Sequence, residues 1–216
     1  MAKVYKIEET PIQNIGYGKL KKGVDTNIMP LYVNDENQNQ HQLYVQIPKV
    51  QIQTNLIVEN NIQKFMDVQS TDESMNEEVR KIENKILSEL KLNKDQFFPN
   101  KGIDDIFLEA GQTSCISKDG VCKCRIMKDV QVWNYRKQSV DVNTLTKGKT
   151  ITCILHVVGV WFTTSRWGVT LKVVQVRHEK EKIDTKLDQY MFPDEDENEY
   201  SEEEDEQTIL SPPPCV

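Results

Sequence analysis

ITCILHVVGVWF, residues 151–162, is nearly continuous apolar sequence, and WGVTLKVVQVRH follows it across a four-residue turn, Thr163-Thr-Ser-Arg166. Twelve residues are too few to cross a bilayer as a helix. The run is rich in β-branched residues and broken by turn chemistry, which marks a strand buried on both faces. In the second segment Trp167, Val169, Leu171, Val173 and Gln175 point one way by strict alternation, and Thr170, Lys172, Val174 and Val176 the other. A hairpin of this kind has to lie inside a larger sheet, so the chain is predicted to be mainly β.

Other segments agree. Lys3–Ile7, Gly16–Leu20 and Ile28–Val33 are short β-type fragments. Asn34–Gln42 is polar and turn-rich, and Leu43–Ile47 alternates, which predicts a hairpin with a long loop. Val50–Val58 reads as a further strand. Asp119-Gly120 lies between Cys115-Ile-Ser and Val121-Cys122, a strong hairpin signal because both positions accept φ > 0 cheaply. One helix is predicted, over 71–92. Met75, Val79, Ile82, Ile86, Leu87 and Leu90 recur every three or four residues as one stripe, opposite Glu77, Arg80, Lys81, Asn84 and Lys85. Ser70 and Glu73 have capping-box spacing. The fold expected is mainly β (α+β), with residues 1–193 as one domain and 194–216 as an acidic tail.

Charge divides the chain at the same place. Gly120 to Lys182 holds twelve Lys and Arg against four acids, whereas Asp194 to Glu206 holds ten acids and no base. Removing those ten acids from a net charge of −7 leaves the body at +3. The body, with the tail removed, is long enough to bury one sizeable core. A basic body with aromatics points to a polyanion as ligand. Lys and Arg track phosphates in a salt-dependent way, and aromatic rings stack bases at about 1–3 kcal/mol each. The candidate stacking residues are Trp133, Tyr135, Trp161 and Trp167, with Phe162 beside Trp161. The candidate phosphate contacts are Arg136, Lys147, Lys149, Arg166, Lys172 and Arg177, with Lys137 close by. A like-charged block such as the tail is ordinarily disordered and solvating. Tethered to a basic groove, it would also act as an intramolecular competitor at millimolar effective concentration, and Ile209-Leu210 with the prolines would recruit protein partners.

Catalytic and metal chemistry find little footing. There is no P-loop, no G-x-G-x-x-G and no G-x-S-x-G. His41, His156 and His178 have no acid or nucleophile at a recognisable spacing, and Asp104-Asp105 reads as a turn or cap. Cys115, Cys122 and Cys124 are spaced C-x6-C and C-x-C, poor matches to zinc pairs. No cofactor and no enzyme activity are expected. No signal-type apolar run follows MAKVYKIEET, and five cysteines, an odd number, suit free thiols in a reducing compartment. No membrane association is expected.

Two stretches resemble known proteins. Leu43-Tyr-Val-Gln-Ile-Pro-Lys49 resembles a segment in uncharacterised or single-strand-binding proteins of large nucleocytoplasmic DNA viruses. Lys147-Gly-Lys149, Gly159-Val-Trp-Phe162 and Trp167-Gly-Val-Thr-Leu-Lys-Val-Val-Gln-Val176 resemble their C-terminal hairpin. The same residues are similar to the end of the OB-type barrel in phage single-strand-binding proteins with acidic tails. The resemblance covers about a fifth of the chain. It implies an OB-like β barrel with a helical insertion that binds single-stranded DNA in viral replication or recombination, in the host cytoplasm or nucleus, with replication or virion proteins as partners and self-association as a further expectation. It supplies no catalytic residues. The rival expectation is a virion structural protein, a minor capsid or scaffold component, using the β body for protein contacts.

Overall fold

The computed structural model describes residues 3–54, 57–59, 63–70, 73–98 and 103–180. The chain divides into two units, residues 1–181 and 182–216, and every described residue belongs to the first. The acidic tail and Cys215 lie outside the described residues. The strands are β1 (Val4–Lys6), β2 (Ile15–Tyr17), β3 (Asn27–Asn34), β4 (Gln40–Ile52), β5 (Ile57–Glu59), β6 (Gln63–Ser70), β7 (Gln112–Thr113), β8 (Val121–Trp133), β9 (Thr150–Phe162) and β10 (Trp167–His178). Among the described residues, three α-helices, α1 (Glu73–Leu92), α2 (Lys94–Phe97) and α3 (Asp105–Ala110), fall between β6 and β7.

Five strands pair in a closed ring. β4 pairs β9, β9 pairs β10, β10 pairs β8, β8 pairs β6, and β6 returns to β4. All of these pairs are antiparallel except β8–β10, which is parallel. A mostly β chain with a few helices and this ring is consistent with an α+β, OB-like fold. Within the ring, alternate residues turn inward. Val45, Ile47, Met66, Val68, Cys122, Cys124, Cys153, Leu155, Val157 and Val173 are at most 2 % exposed.

α1 covers part of this core, and its stripe is the one the periodicity predicts. Met75, Val79, Ile82, Ile86 and Leu90 are buried, Leu87 is half-buried, and Glu77, Arg80, Lys81 and Asn84 are exposed. Thr71 and Asp72 lie outside the described residues. Glu83 is a surprise on the buried side. Its carboxylate accepts from Ser114 Oγ at 2.7 Å and from the Cys115 N–H at 2.6 Å, which ties α1 to the segment leading into β8. Partnered in this way, a charged group is tolerated among apolar neighbours.

The turns follow the sequence signals. β3 and β4 form the expected hairpin around loop 35–39. The Ser117–Gly120 turn closes with Gly120 N–H donating to Ser117 O, and Gly120 alone carries the positive φ, 75°. Val50 continues β4 past an irregularity at 47–50, with Lys49 at φ 48°.

Two expectations are corrected. In β10 the register shifts between Val173 and Gln175. The bulge moves Gln175 to the outer side and Val176, 1 % exposed, to the core, so strict alternation holds only as far as Val173. β9 is not buried on both faces throughout. Ile154, His156, Val158 and Trp161 are half-buried on its outer side.

Candidate nucleic-acid interface

The ring's register builds an outward row of side chains. Phe65 of β6 lies opposite Arg125 of β8, and Arg125 lies beside Lys172 of β10. Lys172 faces His156 of β9, and His156 faces Tyr44 of β4. Partners in a register share a face, so aromatic, cation, cation, imidazole and aromatic follow one another from strand to strand. Arg125 is exposed and the other four are half-buried. The Tyr44 and His156 rings are 4.9 Å apart and inclined by 32°. Partial burial, with Lys172 close by, holds the His156 pKa below the ordinary 6.5, because both disfavour a second positive charge. Lys123 Nζ and the Arg125 guanidinium lie 5.1 and 5.7 Å from the centre of the Phe65 ring, within cation–π range.

Two hollows open on the outer side of β9. One, about 340 Å³, is walled by Gln46, Trp133, Lys137, Ile154, Gln175 and Arg177. The other, about 370 Å³, is walled by Lys21, Lys22, Tyr32, Gln42, His156 and Val158. The first lies where β8 ends, β9 begins and β10 ends. Beside it, the Arg136 guanidinium sits 5.3 Å from the centre of the Tyr135 ring, which is 47 % exposed. Arg177 donates to Glu179 at 3.1 Å, and Thr152 Oγ1 donates to the same carboxylate at 2.7 Å. Burial works against the Glu179 charge, but these bonds, with Arg177 and Lys49 close by, outweigh it and hold the pKa low.

The residues singled out in the sequence therefore separate into groups. Trp133 and Arg177 share the first hollow, Tyr135 and Arg136 lie in the loop beyond it, and Lys147 and Lys149 lie in the turn that enters β9. Lys172 belongs to the cross-strand row. Arg166 is exposed in the turn that leaves β9, at the far end from Lys147 and Lys149. The intervening strand is roughly 40 Å long at ~3.3 Å per residue. Trp161 is half-buried on the outer side, its ring over Gly168, where a β-carbon would come within 2.8 Å of it. Trp167 is a correction. It is 1 % exposed and its indole N–H donates to the Leu108 carbonyl at 2.6 Å, so no ring face is open to a base. Phe162, 6 % exposed, packs edge-on against Phe98.

Sequence reasoning did not single out Lys21, Lys22, Tyr32, Tyr44, Gln46, Phe65, Lys123, Arg125, His156 or Gln175 as candidate contacts, and the structure places them in or beside the row or in the hollows. Most lie outside the basic C-terminal stretch and reach the surface only through pairings distant in sequence. Alternation in Leu43–Ile47 was the available signal for Tyr44 and Gln46.

Among the described residues, Cys122, Cys124 and Cys153 are buried in the core and Cys115 packs half-buried against it. Cys122 and Cys124 Sγ are 3.7 Å apart, and the four described cysteines are free thiols. Burial pushes the Cys153 thiol up to about 12 and Cys115 well above its usual value, which keeps them protonated and unreactive. Among the described residues no three His, Cys, Asp or Glu side chains gather as metal ligands, and no helix is long and apolar enough to cross a membrane.

Solved structures similar to the chain include the single-stranded DNA-binding protein from bacteriophage Enc34, at 9 % identity, TM-score 0.45, covering 77 % of this chain and 90 % of that one. The same phage protein in complex with ssDNA matches at 11 % identity and TM-score 0.44, covering 76 % and 95 %. Bacteriophage T7 gp2.5, a single-stranded DNA binding protein, matches at 12 % identity and TM-score 0.46, covering 65 % and 95 %. With scores and identities this low, these likenesses carry no argument about the ligand of this chain. No curated protein matches it. The model of a family of unknown function, DUF5871, matches residues 49–194, well over half of the sequence, and the chain belongs to that family.

Proposed function

We propose that the chain is a non-catalytic single-stranded DNA-binding protein whose five-strand ring serves as an OB-type barrel. The observation that supports this reading best is the outward group Lys172, His156 and Tyr44 on adjoining strands, a cation beside a ring pair, with the two hollows that combine rings and lysines on either side of it along β9. Single-strand binding needs that combination, since cations neutralise the backbone and ring faces hold unpaired bases. Duplex DNA offers the charge but not the bases. Trp133, Tyr135, Arg136, Lys147, Lys149, Trp161, Arg166 and Arg177 add rings and charges near the two ends of β9, and Trp167 supports the fold instead.

The acidic segment 194–206 is proposed as a tethered competitor for this surface. Thirteen residues lie between Lys180 and Asp194, and a tether that short favours millimolar effective concentration. Roles in viral replication or recombination, recruitment of replication or virion proteins through the tail, self-association, and affiliation with large nucleocytoplasmic DNA viruses belong to the same proposal and rest on sequence alone.

Mobility shift with single- and double-stranded DNA at two salt concentrations tests it, using the full chain and a form ending at Phe192. Single strands should shift at low salt, and the shorter form should bind more tightly. No shift by the shorter form at low salt sinks the binding reading. Weaker binding by it sinks only the competitor role of the tail.

A further inference from the structure

Thr152, Ile154, His156 and Val158 are successive outward positions of β9. The first two wall one hollow and the last two the other. Ile154 and Val158 are four residues apart, about 13 Å along the strand. The Tyr44–His156 ring pair stands between the hollows, with Lys172 beside it. Each hollow combines a ring (Trp133 or Tyr32), an amide (Gln46 or Gln42) and lysines (Lys137, or Lys21 and Lys22). A ring with an amide suits a base, and lysines at the walls suit the phosphates on either side of it.

We infer that single-stranded DNA runs lengthwise along the outer side of β9, with a base in each hollow and the backbone passing Lys172. This rests on the single-strand-binding reading and narrows it to one of the ring's faces. The competing face, β6–β8, is less suited on two counts. The Phe65 ring already has Lys123 and Arg125 lying against it, so a stacking base would have to displace a cation. Asp67 lies opposite Lys123 in the register, which puts a carboxylate where phosphate would pass. Glu179, beside the first hollow, is held by Thr152 and Arg177, two of the residues that wall it.

Two full-length double variants, each losing two exposed positive charges, separate the faces. Lys22→Gln with Lys137→Gln strips the hollows, and Lys123→Gln with Arg125→Gln strips the β6–β8 face. Affinity for a fluorescein-labelled oligothymidylate is read by anisotropy from 0.05 to 0.3 M salt (roughly the range in which phosphate contacts dominate), with thermal melts confirming folding. Two lost phosphate contacts lower the log–log salt slope by about 1.4, or about 25-fold in affinity at about 0.1 M salt. That loss is expected for the hollow variant, with less than a threefold change for the other. An equal or larger loss in the β6–β8 variant overturns the path while leaving the binding reading intact. Absence of binding by the unmodified protein overturns both.

Discussion

Trp167→Phe separates support of the fold from contact with DNA. The indole N–H donates to the Leu108 carbonyl of α3 at 2.6 Å, and the Trp167 backbone N–H donates to Gly111 O at 2.9 Å. One residue thus fastens the α3–β7 segment to the start of β10. Phenylalanine keeps the backbone bond and most of the apolar contact. It leaves the carbonyl of Leu108, itself 0 % exposed, without this donor, at about 1–3 kcal/mol for an unsatisfied buried acceptor. The smaller ring also leaves a void, which adds about 1 kcal/mol. A total of about 3 kcal/mol lowers the melting temperature by about 6–12 °C in a domain of this size. Thermal unfolding by circular dichroism gives the first number, and anisotropy at 15 °C, with the variant still folded, gives the second. Affinity for single strands should stay within about twofold, because the ring never meets the ligand. An unchanged melting temperature, or a tenfold weaker affinity in the folded variant, would refute the assignment of Trp167 to the core.

Three further outcomes follow from the geometry. A β-carbon at Gly159 would come within 2.4 Å of the Met29 carbonyl oxygen and 3.0 Å of Pro30 Cα, so Gly159→Ala must push β3 away and should cost about 2 kcal/mol or more in denaturant unfolding. Glu83→Ala removes the acceptor for Ser114 Oγ and the Cys115 N–H and should cost about 2–3 kcal/mol, whereas Glu83→Gln, which keeps an acceptor oxygen, should cost less. The His156 pKa is depressed in the folded protein, so the folded state binds fewer protons than the unfolded one. The stability contributed by this site is then complete above pH ~6.5 and declines as pH falls through that value toward the lower folded pKa. A melt series from about pH 8 to 5 should show that decline, and His156→Gln should flatten it.

The sequence made the secondary structure readable wherever one period ruled a segment. The stripe from Met75 to Leu90 and the alternation from Trp167 to Val173 are local, and both appear as expected. Alternation failed at Gln175 because a bulge inserts one residue, which no local pattern announces. Trp167 reads as an interface residue in a basic stretch, but the carbonyl that captures its indole belongs to Leu108, fifty-nine positions away. The candidate interface was legible as a composition and hidden as a place. Lys172 and Arg177 were visible as charges, yet their neighbours Arg125, His156 and Trp133 come from other strands. Tyr44 and Phe65 lie far from the basic stretch altogether, and only the closure of the ring brings them into its row.

Single-strand binding by this surface requires that bases be held as well as phosphates. Anisotropy titrations of the full-length protein should compare a single-stranded oligonucleotide with an abasic strand of the same length and charge at one salt concentration. At about 1–3 kcal/mol per stacked base, the normal strand should bind at least tenfold tighter. Equal affinity for the two strands would mean that the protein binds polyanions by charge alone, which would contradict a base-holding role for Tyr44, Trp133 and their neighbours.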